Sequence, residues 1–415
     1  MRVLTGGSAE RYVRKLQQRG AADLGRVEKQ VKRIVTAVRE NGDRALRRYA
    51  EKFDGLGQRQ SLRVTQSELE QEWETTSEEF KQALKSAAAN IRRYCEWQKP
   101  QQWHHITAEG ISVGQVIRPL HSAGCYVPGG RYPLPSTMLM TVIPAQVAGV
   151  EEIRVASPRP ARETMATAFF LGVREVYRIG GAQAIAAFAY GTKTVPRVDK
   201  IVGPGNLFVT AAKKQVAFDC GIDFLAGPTE VVIMSERGRP DFIAADLVAQ
   251  AEHDPDALAV FISSSSDLAS SVAEALRIQS AKNETARTSL RKNGAVLLAE
   301  THDQALDFAN RIAPEHISID EEDLGFMQNA GSIFVGGYSP QAAGDYASGP
   351  NHVLPTGGMA RIRGGLGVQD FVKTISVQHL SQEGLSRIAS TVVTLAEAEG
   401  LEAHAESIRV RYAHA

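Results

Sequence analysis

The chain predicts an α/β protein built from two similar parallel-sheet modules, with helical extensions at its amino and carboxyl ends. Short apolar runs closed by glycine or proline alternate with helical stretches from about residue 110 onward. Strand alternating with helix at this spacing is the grammar of βαβ units and a parallel sheet. The runs fall into two successive series, and 415 residues are more than one ordinary core organises, so two or more domains are expected.

Residues 1 to about 100 read as helical. The stretches 27–51 and 77–97 are charge-rich, with apolar residues at three and four spacing, and Gly42-Asp43 punctuates the first. The first series of strand candidates is 114–119, 152–157, 175–180 and 199–203, with alanine-rich helical stretches at 137–149 and 183–190. The second is 230–234, 257–262, 294–298 and 331–335, with helices at 241–253 and 266–279 between its first members. From Phe371 onward the chain reads as helical again, notably 385–402.

Bulk properties bound the function. Lys plus Arg equals Asp plus Glu at 47 each, so no net field favours nucleic acid or an acidic membrane, and a small-molecule substrate fits better. Cys95, Cys125 and Cys220 show no CxxC spacing, which points to a reducing compartment and away from a disulfide framework or a thiolate metal site. The segment 1–7 lacks the apolar core of a signal peptide, and 138–150 is too short and interrupted to span a bilayer. A soluble, cytoplasmic protein is expected.

The chemistry-bearing side chains concentrate in four distant segments: 250–254, 313–316, 344–352 and 399–404. They hold four of the ten histidines, each beside a carboxylate. Imidazole and carboxylate together suit a borderline metal such as zinc, and also proton transfer near neutral pH. Gln250 and His253 stand three apart on a helix and share a face, although a histidine near a helix C-terminus can simply cap carbonyls. Asp345 lies in a glycine-rich irregular segment, where a turn aspartate is the plain alternative. His404 alone reads as a solvated tail residue. Glu315 and His316 are neighbours that would point to opposite faces of a strand unless the chain turns at Pro314; otherwise they are a surface pair.

Three glycine turns close strand candidates: Tyr126-Val-Pro-Gly129-Gly130, Gly180-Gly181-Ala-Gln183 and Gly203-Pro-Gly205-Asn206. Each is either a tight connection or the edge of a ligand cleft, and three in one half favour a cleft. The GxGxxG fingerprint is absent, so the modules are Rossmann-like but incomplete. Cys125 reads as a small buried hydrophobe.

Taken together, 125–130, 180–187, 203–206, 226–230, 250–254, 313–316, 344–356 and 399–404 resemble the histidinol dehydrogenase family, in the family's order and over nearly the whole chain. The resemblance implies NAD-dependent, four-electron oxidation of L-histidinol to L-histidine through an aldehyde. It implies one zinc ion per subunit held by Gln250, His253 and Asp345, with His404 contributed by the other subunit of an intertwined homodimer. It casts Glu315 as the group that activates water and His316 as general acid/base. Thr229, His352 and Glu399 fall where the family contacts its substrate, as do the zinc ligands and the catalytic pair; Tyr126, Gln183 and Asn206 fall where it contacts NAD. The domains expected on this basis are a helical extension (1–25) and a discontinuous module with the metal and catalytic residues (26–125 with 230–366). An NAD-side module (126–229) and a helical tail exchanged in the dimer (367–415) complete the division. Thr229 stands where serine is common, Tyr94-Cys95 replaces an aromatic-His pair, and Arg131-Tyr132 resembles a paralogous branch that oxidises sulfonated diols. That branch is the rival enzyme reading, and a non-catalytic zinc-binding protein is the rival from another class.

Overall fold

Apolar runs with β-branched residues become strands, and in the computed structural model, which describes residues 1–19, 24–129 and 133–412, they assemble into two six-stranded sheets. Sheet I runs, edge to edge, Arg63–Val64, Glu175–Tyr177, Glu152–Ala156, Ser122–Tyr126, Lys200–Val202, Gly221–Ile222. Its pairs are parallel except that of Arg63–Val64 with Glu175–Tyr177. Sheet II runs Arg2–Thr5, Ala295–Leu298, Leu258–Ser263, Glu230–Met234, His316–Ile319, Ser332–Val335, all parallel. Every residue of Glu230–Met234 and Leu258–Ser263 is buried, as expected of parallel strands covered by helices on both faces.

The two sheets share one winding. In each, after a first edge strand, Arg63–Val64 or Arg2–Thr5, the chain enters a central strand, Ser122–Tyr126 or Glu230–Met234, steps outward through two strands toward that edge, then crosses to the other side. The expectation of two like modules therefore holds at the level of strand order. Each sheet has a switch point beside its central strand, where open α/β sheets form a crevice.

The expected partition of the first 125 residues does not hold. Much of 26–125 packs with sheet I, while helix Glu78–Trp97 also meets the module 230–366: Ile91 shares a core with Val353 and Leu366, and Asn90 Nδ2 donates to the Ala347 carbonyl at 2.9 Å. Helix Gly25–Tyr49 buries Val27, Val31, Ile34, Val35 and Val38 in the same core as Ile185, Phe188, Val209 and Val216, on helices Gly181–Tyr190 and Leu207–Val216. Arg63–Val64 and Ser122–Tyr126 are strands of sheet I itself. The first 25 residues are not purely a helical extension, because Arg2–Thr5 adds an edge strand to sheet II. The helix of Gly25–Tyr49 breaks at Gly42, whose φ of 51° belongs to a left-handed backbone, where the sequence placed its punctuation. The carboxyl-terminal tail also begins differently. Val372–Leu380 is a strand that pairs over its full length with Ile111–Pro119, which pairs in turn with Trp103–Ala108, forming a separate antiparallel sheet. Helices Gln382–Ala398 and Glu402–Tyr412 follow and pack on each other. Among the described residues no helix is long and apolar enough to cross a membrane.

The turn after Lys200–Val202 is clamped from within. Lys213 Nζ donates to the Gly203 carbonyl and to Asp223 Oδ1, both at 2.6 Å, while Asp223 Oδ2 accepts the Gly203 amide at 2.8 Å. Gly203 has φ 112°, and a Cβ there would sit 2.2 Å from the Tyr126 carbonyl, so only glycine fits. Lys213 and Asp223 are both buried. Removing one partner leaves a buried charge unpaired, so Lys213→Met is expected to lower stability to urea by about 3–5 kcal/mol. A loss well below 1 kcal/mol would contradict the clamp.

Candidate active site

The carboxyl edge of sheet I faces the amino edge of sheet II across one cavity, and another cavity opens at the carboxyl edge of sheet I alone. The larger, of about 250 Å³, is walled by Tyr126, Gly181, Gln183 and Asn206 from the ends of sheet I strands, and by Gln30, Phe53 and Asp54 from the amino-terminal helices. The three glycine turns thus converge on one cleft; Gly130, Arg131 and Tyr132 lie outside the described residues. Asn206 Oδ1 caps helix Leu207–Val216, accepting from the amides of Phe208 at 3.0 Å and Val209 at 3.2 Å. Tyr126 Oη accepts the Gly181 amide at 3.1 Å, and burial pushes its phenol up to about 12, so it offers an O–H.

Pro204 and Gly205, the middle of the clamped turn, line the second cavity, of about 220 Å³. Its other walls bring together Thr229, Gln250, His253, Glu315, His316, Asp345 and His352. Thr229 precedes the central strand of sheet II, and Glu315 precedes His316, the first residue of the next strand. The register matches Val231 with His316, which brings the Glu230 carbonyl within reach of the His316 ring. Gln250 lies in the last turn of helix Pro240–Ala251, and Asp345 in the short helix Gln341–Tyr346. Ala313, with φ 49°, turns the chain sharply after helix His302–Ile312. That turn resolves the difficulty of adjacent residues facing apart: Glu315 and His316 both reach the cavity.

Glu315 is buried, with Oε2 accepting the Thr229 hydroxyl at 2.6 Å and the Glu230 amide at 2.7 Å. Burial lifts its pKa to about 7, although the charge of His316 and these two hydrogen bonds pull it down. His316 Nδ1 donates to the Glu230 carbonyl at 3.0 Å, which turns Nε2 toward Asp345, 3.7 Å away. That Nε2 is buried and has no hydrogen-bond partner. Burial alone would lower the imidazole, but the charges of Glu315 and Asp345 outweigh it and raise it to about 9. Two proton-carrying groups thus stand at adjacent positions, one poised near neutral pH and the other above it.

Asp345 is raised by burial but more strongly lowered by His316, with His352 and His253 adding to the effect, and is held below the usual carboxylate range. His352 Nδ1 donates to the Asp345 carbonyl at 2.8 Å, its Nε2 lies 3.4 Å from Thr137 Oγ1, and burial keeps it neutral by lowering its pKa. Gln250 Nε2 donates to Thr229 Oγ1, leaving its carbonyl oxygen as the free end. An amide oxygen, an imidazole and an ionised carboxylate are donors suited to a borderline cation. Within one chain the set is short, because among the described residues no three His, Cys, Asp or Glu side chains gather closely enough to hold a metal. Glu399 and His404 do not join them: both are exposed on the tail.

Some participants carried no signal in the sequence reading. Glu230 serves through its backbone on both sides, and its own carboxylate turns away to Arg19, which grips it at 2.7 Å through Nε and Nη2. Thr137 reaches His352 from the helix Pro135–Ala148. Asp54 binds the Gln183 amide. The adjacency of Glu230 to Thr229 was the one visible hint.

Two parallel modules meeting over a buried acid–base pair define an α/β enzyme, and comparison with known proteins places it among the oxidoreductases. The family model described as histidinol dehydrogenase matches residues 17–412. A histidinol dehydrogenase of Methanothermobacter thermautotrophicus is 46% identical over 415 residues, covering 97% of each chain. That of Haloarcula marismortui is 48% identical, covering 94% of this chain and 95% of its own. The crystal structure of histidinol dehydrogenase from Elizabethkingia anophelis superposes with a TM-score of 0.93 at 32% identity, covering 99% of this chain and 98% of that one. The chain belongs to the histidinol dehydrogenase family.

The Thr229 hydroxyl favours the ionised form of Glu315. Thr229→Val should therefore raise the Glu315 pKa further above about 7, moving the acid limb of the pH–rate profile roughly one unit upward, while Thr229→Ser leaves it in place. A Thr229→Val profile superposable on wild type would show that the hydrogen bond does not set this ionisation.

Proposed function

We propose that the chain oxidises L-histidinol to L-histidine through L-histidinal, with two NAD⁺ accepting the two hydrides, as the last step of histidine biosynthesis. The observation that carries this reading is the buried Glu315–His316 pair, hung on Thr229 and Glu230 and set between a polar-walled cleft and a cation-type donor set. Family membership supplies the reaction, and the geometry supplies a rationale for each residue. The intact pair also speaks against a non-catalytic zinc-binding protein.

Tyr126, Gln183 and Asn206 would hold the dinucleotide in the cleft of sheet I, where helices Gly181–Tyr190 and Leu207–Val216 point their amino ends at the ligand. Gln250, His253 and Asp345 would hold the zinc ion, with His404 of a second copy completing the set. When bound, zinc would supply a template that orients a nitrogen-bearing substrate, and NAD⁺ would supply the hydride acceptor.

The chain's own groups handle the protons. His316 Nε2 lines the cavity with no protein partner; with Nδ1 held on the Glu230 carbonyl it is the nitrogen that exchanges a proton, and in the neutral form it is positioned to take the proton from the alcohol as the carbonyl forms. Glu315, raised by burial, is placed to take a proton from the water that adds to the aldehyde before the second oxidation. His352, neutral, offers an imidazole beside Asp345 for contact with the substrate. Glu399 of the partner copy would add a further contact.

The tail supports the shared-site reading. Leu395 and Val410 are exposed on its two helices, Leu401 on the link between them, and Ile375 and Val377 on its strand, an apolar surface that a second copy would cover. A homodimer with exchanged tails would bring His404 and Glu399 to the neighbouring cavity.

His316→Ala should lower turnover by about 10²–10⁴-fold, and wild-type protein should release two NADH per histidinol consumed. One NADH per histidinol would remove the second oxidation, and turnover of dihydroxypropanesulfonate without histidinol would favour the paralogous branch. His404→Ala should lose zinc on dialysis while the wild type keeps it. Equal zinc retention would take His404 out of the ligand set.

A further inference from the structure

The amino-terminal segment contributes a buried carboxylate to the cleft of sheet I that no part of the reaction above uses. Asp54 ends the turn Ala50–Asp54, is 6% exposed, and lines the same cavity as Tyr126 and Gln183. Its Oδ2 accepts two hydrogen bonds, from the Gly180 amide at 3.0 Å and from Gln183 Nε2 at 2.9 Å. The first caps the amino end of helix Gly181–Tyr190, whose own N-cap, Gly180, has no side chain to do so. Capping alone would need only that bond. The second bond reaches a side chain that is 1% exposed and has no room to turn freely.

An amide has two unlike ends, and the carboxylate selects between them. A carboxylate accepts and does not donate, so it holds the Nε2 end of Gln183 and leaves Oε1 on the other side. Among the described residues no hydrogen bond to that Oε1 is present, and Gln183 lines the cavity. The neighbouring Tyr126 is complementary, since its oxygen is occupied by the Gly181 amide and its O–H is the end left over. Were the Gln183 amide reversed, its carbonyl would meet the Asp54 carboxylate, two acceptors with no proton between them.

We propose that Asp54 is a positioning residue of the cofactor cleft, fixing the Gln183 amide so that its oxygen accepts from a hydroxyl or carboxamide N–H of a nicotinamide dinucleotide. This rests on the reading of that cleft as the NAD site. Asp54 touches no reacting atom and acts through Gln183.

Calorimetric titration of the full-length protein with NAD⁺ alone tests it, alongside steady-state kinetics. Asp54→Ala is expected to weaken NAD⁺ binding about tenfold, the scale of one misdirected hydrogen bond, seen both in Kd and in the KM for NAD⁺. Asp54→Asn, which keeps an acceptor oxygen at the same place, should restore affinity to within about threefold of wild type. Because Asp54 works through Gln183, the double variant Asp54→Ala/Gln183→Ala should bind no more weakly than Gln183→Ala. Unchanged NAD⁺ affinity in Asp54→Ala, additive losses in the double variant, or a fall in kcat without a change in affinity would each overturn the proposal. If Asp54→Ala does not fold, hydrogen exchange of the Gln183 side-chain amide in the wild type decides. Strong protection is expected, and exchange as fast as an exposed glutamine would overturn the assignment. Wild-type protein that binds no NAD⁺ would instead overturn the cofactor reading, and the proposal with it.

Discussion

The structure's chemistry hangs on one hydrogen-bonded tie, the two bonds from Thr229 Oγ1 and the Glu230 amide to Glu315 Oε2. They join the amino ends of two neighbouring parallel strands at the point where sheet II reverses direction. A buried carboxylate is costly unless its charge is met by donors. Here one hydroxyl and one backbone amide meet it, leaving the carboxyl poised between its ionised and neutral forms. The same Glu230 that donates its amide to Glu315 offers its carbonyl to His316 Nδ1, so one residue's backbone orients both members of the pair. Arg19, reaching across from the amino-terminal segment, anchors the Glu230 carboxylate and keeps that backbone in place.

From this tie the rest of the site follows by register. Once Val231 is matched with His316, Nε2 of the imidazole is directed at Asp345 and the hydroxyl of Thr229 falls between Glu315 and Gln250. A one-residue slip of that pairing would turn His316 to the other face of the sheet and separate it from Glu315. Glu315 and His316, adjacent in sequence, share the cavity because Ala313 takes a left-handed conformation and lets the chain enter the strand with both side chains near it.

Much of this was legible in the sequence, and what was not has physical causes. Strand–helix alternation is written in local periodicity, so the two modules and most of their strands could be read directly. The allocation of residues 26–125 depended on which apolar face Val31, Ile34 and Val38 meet, a long-range choice that periodicity does not encode. Val372–Leu380 went unread because every residue between its first and last is exposed in one chain, so no burial contrast marks a buried face along the β-branched run. For the site, residue types and order were legible through the family resemblance. The roles of Glu230, Thr137 and Asp54 were not, since each works through contacts between segments distant in sequence. His404 and Glu399 remain outside the cavity of a single chain, and only a second copy would bring such tail residues to it.

The facing of a carboxyl edge by an amino edge also divides the labour electrostatically. At the ends of sheet I strands, helices Gly181–Tyr190 and Leu207–Val216 begin, and helix amino ends carry partial positive charge that favours a pyrophosphate. At the amino edge of sheet II, helices Pro240–Ala251 and His302–Ile312 end, and their carboxyl ends carry partial negative charge that favours a cation. Gln250 sits in the last turn of the first, and Glu315 and His316 follow directly after the second. Two modules with the same winding, presented edge to opposite edge, therefore set helix amino ends beside one cavity and helix carboxyl ends beside the other. The clamped Gly203–Asn206 turn lies between the two, with Pro204 and Gly205 on one side and Asn206 on the other. On the function proposed above, that juxtaposition would hold an anionic dinucleotide and a metal-oriented alcohol on neighbouring surfaces, as a hydride transfer needs.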